Sequence, residues 1–135
     1  MLNLLYLKSR NQISLPLDIS YVDVSSVILN AQGDYIITVE STKTGTTCQH
    51  CGRKITKFYG YGRWIELRHL SILGHRVYLR LRPKRYECPH CNGRTTTQTL
   101  DWYTPRSPHT KAYDNHLLLQ LVNSTVAGGI PANCG

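Results

Sequence analysis

The sequence predicts a small β-rich α+β protein in which a β-hairpin leads, a β-rich segment bracketed by two cysteine pairs follows, and a helix comes last. Three observations predict it. Apolar and polar residues alternate along residues 77–82, and residues 35–39 are rich in β-branched side chains, as half-buried strands require. The pairs Cys48/Cys51 and Cys88/Cys91 each enclose two residues and stand far apart in the chain. Tyr113, Leu117, Leu118 and Leu121 recur at helical spacing. A chain of 135 residues has room for one modest core.

Taken in order, residues 1–20 read as irregular or partly helical, interrupted by Pro16. Residues 2–7 are apolar, but Lys8 and Arg10 follow them, which is the wrong order for an export signal. No stretch is long enough to span a bilayer, and a reducing cytoplasm is the expected location. Val24, Val27, Ile28 and Leu29 lead into a turn at Gly33, and residues 35–39 return, which predicts the hairpin. Residues 64–69 place Ile65 and Leu67 on one face and Glu66 and Arg68 on the other. A turn is expected over residues 71–75. The next strand then puts Val77, Leu79 and Leu81 on one side and Tyr78, Arg80 and Arg82 on the other. Pro83 stops that strand or sets it at a sheet edge. Residues 102–108, with Pro105 and Pro108, read as a linker, and residues 110–122 as a helix. Residues 127–135 hold too few structure formers to predict more than a loose end.

The cysteines carry the chemistry. Cys48-Gln49-His50-Cys51-Gly52 and Cys88-Pro89-His90-Cys91-Asn92-Gly93 are tight turns, and Gly52 and Gly93 can take the positive φ such turns need. Two of these turns brought together by a sheet place Cys48, Cys51, Cys88 and Cys91 around one tetrahedral ion with Zn–S bonds of about 2.3 Å. The expected cofactor is one structural Zn2+. Four thiolates leave no open position for catalysis. The segment between the pairs is long enough for its own hairpin, a zinc-ribbon-like layout. His50 and His90 are expected to be exposed polar residues rather than ligands, and Cys134 a free thiol.

Formal charge is +8 with a pI near 9.4, and it is concentrated. Eleven Lys and Arg residues lie from Arg53 to Arg94, opposed only by Glu66 and Glu87. A charge run is often just a solvated face. Here the cations sit in a row with an aromatic beside them, the combination that phosphate backbones select. The candidate nucleic-acid contacts are Arg63, Arg68, Arg76, Tyr78, Arg80, Arg82, Lys84 and Arg85, with Trp64 extending the patch. If about five phosphates are engaged, the log–log salt slope of affinity is roughly −4 to −5. Tyr35, Tyr59, Tyr61 and Trp102 are read as packing residues. No Gly-Lys-Ser/Thr loop, nucleophile triad or paired carboxylates can be assembled, so no catalytic residue is assigned.

Residues 68–91, Arg-His-Leu-Ser-Ile-Leu-Gly-His-Arg-Val-Tyr-Leu-Arg-Leu-Arg-Pro-Lys-Arg-Tyr-Glu-Cys-Pro-His-Cys, preceded by Cys48-x-x-Cys51-Gly52, carry a resemblance. This pattern resembles the amino-terminal zinc-finger domain of bacterial insertion-sequence transposases of the ISL-three family, over roughly residues 20–105. The resemblance implies Cys48, Cys51, Cys88 and Cys91 as zinc ligands and DNA, specifically the element's terminal inverted repeats, as partner of the basic strand. In that family a helix-turn-helix and a nuclease domain with an Asp-Asp-Glu triad follow. Residues 110–122 then resemble the start of the helix-turn-helix, no residue here fills the triad, and the Gly-Gly-Ile-Pro tail suggests a truncated reading frame. The division expected is residues 1–47, an N-terminal segment with the hairpin; 48–105, the zinc-ribbon-like domain; and 106–135, linker, helix and truncated end. The leading reading is a non-catalytic, nucleoid-associated DNA-binding fragment of a transposase, able to associate with the intact enzyme. The alternatives are a rubredoxin-like iron electron carrier, whose iron would colour it red, and a zinc-stabilised protein-interaction module.

Overall fold

The computed structural model describes the backbone of residues 19–134 and the side chains of residues 19–123. The reading of residues 1–18 and of the Cys134 thiol lies outside the described residues.

β1 (Val22–Leu29) and β2 (Tyr35–Ser41) form the leading hairpin, paired from Val22↔Ser41 to Leu29↔Tyr35 with a bulge between Val24 and Ser26. Its turn is closed by the side-chain oxygen of Asn30, which accepts the amides of Gln32 at 3.0 Å and Asp34 at 2.9 Å. The first cysteine pair sits between β3 (Thr46–Thr47) and β4 (Lys54–Ile55), and β5 (Lys57–Tyr61) follows. β6 (Ile65–Ile72) and β7 (His75–Leu81) form a second hairpin whose turn is Leu73-Gly74, with φ of 50° and 81°. β8 (Lys84–Glu87), a 3₁₀ turn (Pro89–Cys91) and β9 (Thr95–Thr97) frame the second cysteine pair, and α1 (Lys111–Cys134) comes last.

These strands make a four-stranded sheet in the order β1-β2-β7-β6, a three-stranded sheet β5-β8-β9 and the small ladder β3-β4. The parallel pairing of β2 with β7, Tyr35↔Val77 through Val39↔Leu81, fuses the two hairpins. Strands from both sides of residue 47 therefore share one sheet. The alternation along β7 is kept: Val77, Leu79 and Leu81 are buried, whereas Arg76 and Arg82 are exposed and Tyr78 and Arg80 half-buried. Each fully buried aliphatic chain here contributes about 1.5–3 kcal/mol.

Leu100, Trp102 and Tyr103 close the main core against Ile37, Val39, Leu67, Val77, Leu79 and Leu81. This corrects the expectation of a linker over residues 102–108. The prolines mark a sharp path, but three large side chains just before them find apolar surface on the sheet, and burial decides the outcome. The chain then lies along the edge of β6, where Arg68 N donates to Pro108 O and Thr110 N to Arg68 O. Thr110 caps α1, its Oγ1 accepting the Tyr113 amide at 3.2 Å, and the same oxygen meets His69 Nδ1 at 2.8 Å in the core. The helix is longer than expected. Its backbone runs through Gly128, Gly129 and Pro131 to Cys134, where a loose end was expected. Leu118, Leu119, Leu121 and Val122 on it are exposed.

Candidate metal centre and nucleic-acid interface

The two cysteine turns are built alike. Cys48 N donates to Arg53 O and Gly52 N returns to Cys48 O; in the second turn Cys88 N donates to Arg94 O and Gly93 N returns to Cys88 O. Gly52 and Gly93 have φ of 77° and 75°, the left-handed backbone that lets each chain double back after its second thiol. β8, which leads to the second turn, pairs with β9 from Arg85↔Thr97 to Glu87↔Thr95. The Gln49 amide donates to Thr96 Oγ1 at 3.1 Å, which ties the first turn to the second.

The four Sγ atoms of Cys48, Cys51, Cys88 and Cys91 all lie within 4.8 Å of one another. Cys48 Sγ is 3.8 Å from Cys91 Sγ, and Cys51 Sγ is 3.6 Å from Cys88 Sγ. A tetrahedron with metal–sulfur bonds of about 2.3 Å has edges of roughly 3.8 Å. The geometry and the donor set thus fit one structural Zn2+ with a closed shell. Cys48 and Cys88 are buried, with Ile55 and Tyr86, in a second small core of their own.

Burial raises the Cys48 thiol, but the amides of Cys51 and His50 and the neighbouring thiols overcome it and bring it to about 6. Burial, together with the surrounding thiols of Cys51, Cys88 and Cys48, pushes Cys91 up to about 12, and burial likewise raises Cys88. A metal entering the cluster must therefore displace protons from Cys88 and Cys91. His50 and His90 are exposed and lie outside the sulfur cluster, as expected, and His50 Nδ1 lies 3.5 Å from the Arg94 guanidinium.

Gln98 was not legible as important, since nothing in the Thr-rich run around it marks one amide from its neighbours. It is 2% exposed, accepts from Ser41 Oγ at 2.7 Å, and donates to Lys43 O at 2.9 Å and Gly45 O at 2.8 Å. It ties the end of β2 and the loop before the first cysteine turn to the strand leaving the second.

The basic residues fall into two groups. Arg76 donates through Nε to Asp34 at 2.9 Å, which holds its guanidinium in the charged form. Arg68 is half-buried over the rings of Tyr113 at 4.7 Å and Tyr78 at 5.8 Å. Arg85 is half-buried and donates to Thr95 Oγ1. Among the described residues, the Nε atoms of Arg68 and Arg85 are buried without a hydrogen-bond partner. Arg63 and Arg82 are exposed, and Lys84 and Arg80 half-buried. Among the described residues no carboxylate comes within ion-pair distance of these four, although Glu66 stands opposite Arg80 in register.

Arg80 and Arg82 are instead held by aromatic rings. Arg80 lies 4.8 Å from the Trp64 centroid; Arg82 lies 5.0 Å from Trp64 and 4.3 Å from Tyr61. Tyr59 and Tyr61, expected to be packing residues, are exposed by 62% and 41%. The reason is a bulge: β5 pairs Phe58↔Tyr86 and then Gly60↔Arg85, leaving Tyr59 as the extra residue. The slip brings Phe58 and Tyr61 onto one side, 5.3 Å apart and edge to face. Gly60 is the local trace of it, since an isolated glycine within a strand often marks a bulge. Tyr35 and Trp102 do pack as expected.

Two thiol turns at the ends of short strands, closing on one four-sulfur cluster beside a three-stranded sheet, define a zinc ribbon. Residues 44–104 match the zinc-finger family of transposases IS204/IS1001/IS1096/IS1165. Over these residues the chain is similar to a transposase zinc finger of the ISL3 type, and the four-thiol cluster inside the match fits one structural Zn2+. No curated protein and no solved structure matches the chain. Among the described residues no helix is long and apolar enough to cross a membrane.

Proposed function

We propose that the chain binds DNA in transposition, gripping the ends of the mobile element, and does not itself cut the strands. Its partners on this reading are the element's terminal inverted repeats and the intact transposase, in the nucleoid. The observation that carries the reading is the pair Arg80 and Arg82, unpaired with any carboxylate among the described residues and held outward over Trp64 and Tyr61. With Arg63 and Lys84 they form a cationic surface for phosphates, while Arg68, Arg76 and Arg85 serve mainly to fix the scaffold. The zinc ribbon is the rigid mount. On this reading the acids serve the scaffold: Asp34 pairs with Arg76, Glu87 with Lys57, and Asp114 lies 3.0 Å from His109 Nδ1.

Four phosphate-facing cations revise the expected salt dependence to a log–log slope of roughly −3 to −4. Fluorescence anisotropy of labelled DNA carrying the element's ends, measured over a salt series, tests this. Arg82→Ala is expected to reduce the slope by about 1. Absence of DNA binding, or a slope near zero, overturns the reading. The second reading, a zinc-stabilised protein-interaction module, is favoured by the exposed Leu118, Leu119 and Leu121 of α1 and predicts no salt-dependent DNA affinity.

A further inference from the structure

Phe58, Tyr61, Arg82, Trp64 and Arg80 form one unbroken stripe in which each side chain touches the next. The successive separations are 5.3 Å from Phe58 to Tyr61, 4.3 Å from Tyr61 to Arg82, 5.0 Å from Arg82 to Trp64 and 4.8 Å from Trp64 to Arg80. The stripe begins on the three-stranded sheet and ends on the four-stranded one. Its three aromatic residues are 49%, 41% and 48% exposed, a large apolar outlay for so small a protein. Phosphate contact alone does not account for them, because a duplex backbone asks for cations and hydrogen-bond donors. Bases stacked inside a duplex offer no face to a side chain. Unpaired bases do, and they stack on aromatic rings and guanidinium planes alike.

We infer that this stripe takes unpaired DNA bases, so that the preferred ligand is single-stranded or locally opened DNA rather than intact duplex. The inference rests on the DNA-binding reading and narrows it. Phe58 and Tyr61 are set side by side by the β5 bulge. Trp64 is braced by two arginines whose charge also answers the phosphates on either side of a stacked base.

The test uses the full chain and two probes, a short oligothymidine and a duplex of random sequence, at one salt concentration. Trp102 is buried at 7% exposure, so quenching of tryptophan emission by the oligonucleotide reports Trp64. The expected results are tighter binding of the single strand, quenching on binding, and a loss of roughly 5- to 150-fold in single-strand affinity for Trp64→Ala. Trp64→Phe, which keeps a stacking face, should recover most of that loss. The quenching needs no substitution, so a variant that fails to fold leaves the test intact. Tighter duplex binding with unquenched tryptophan overturns the inference and leaves the DNA-binding reading standing. If neither probe binds, the DNA-binding reading itself fails.

Discussion

Burial favours the protonated thiol, and at Cys88 and Cys91, though not at Cys48, it prevails; this sets how the cluster meets a metal. With Cys91 held up to about 12 and Cys88 also raised, protons compete with zinc throughout the neutral range. The competition strengthens as pH falls, so zinc affinity is expected to drop on acidification; titration with a competing chelator at several pH values measures it. Cys88→Ser should lose the zinc altogether, because Cys88 is fully buried at the centre of the second core and an alcohol there is a poor ligand; metal analysis of the purified variant decides. Gln98→Leu is expected to cost about 2–3 kcal/mol in chemical denaturation, since it strands Ser41 Oγ and the carbonyls of Lys43 and Gly45 in a buried site. The cysteines were fully legible in the sequence because their spacing is itself the chemistry. Gln98 was not, because its role comes from three backbone and side-chain partners more than fifty residues away in the chain.

At the level of elements, strands with strict alternation were legible and segments stabilised by tertiary contact were not. β7 follows its pattern residue by residue. Residues 100–103 carry no period at all, yet they become the lid of the main core because the sheet leaves apolar surface for them. The β6–β7 turn shows the cost of a local mismatch. Its two residues both need positive φ, and Leu73 supplies the first of them while 84% exposed. Replacing it with Asn, which tolerates this backbone and leaves no apolar side chain in water, is expected to stabilise the fold by about 1 kcal/mol in thermal or denaturant unfolding. An unchanged or lowered stability would contradict the turn geometry described here.

Across the whole molecule the two cores divide the work of folding. The four-stranded sheet is held by nine buried hydrophobic residues and the ribbon by four, two of which are zinc-site cysteines. The ribbon therefore depends on its metal, worth on the order of 10 kcal/mol in comparable small sites, far more than its own core. Chelation is expected to release the amides of β4, β5, β8 and β9 to hydrogen exchange while β2 and β7 stay protected. The sequence announced two hairpins and a metal site, but not the parallel join of β2 to β7, because that pairing is chosen between distant strands and leaves no local trace. Everything proposed about DNA presupposes that the ribbon is closed by one ion on Cys48, Cys51, Cys88 and Cys91. X-ray absorption at the zinc edge of the purified chain tests this most directly. The predicted result is a single shell of four sulfurs at about 2.3 Å; a shell containing nitrogen from His50 or His90, or a ribbon that stays folded without bound zinc, would contradict it.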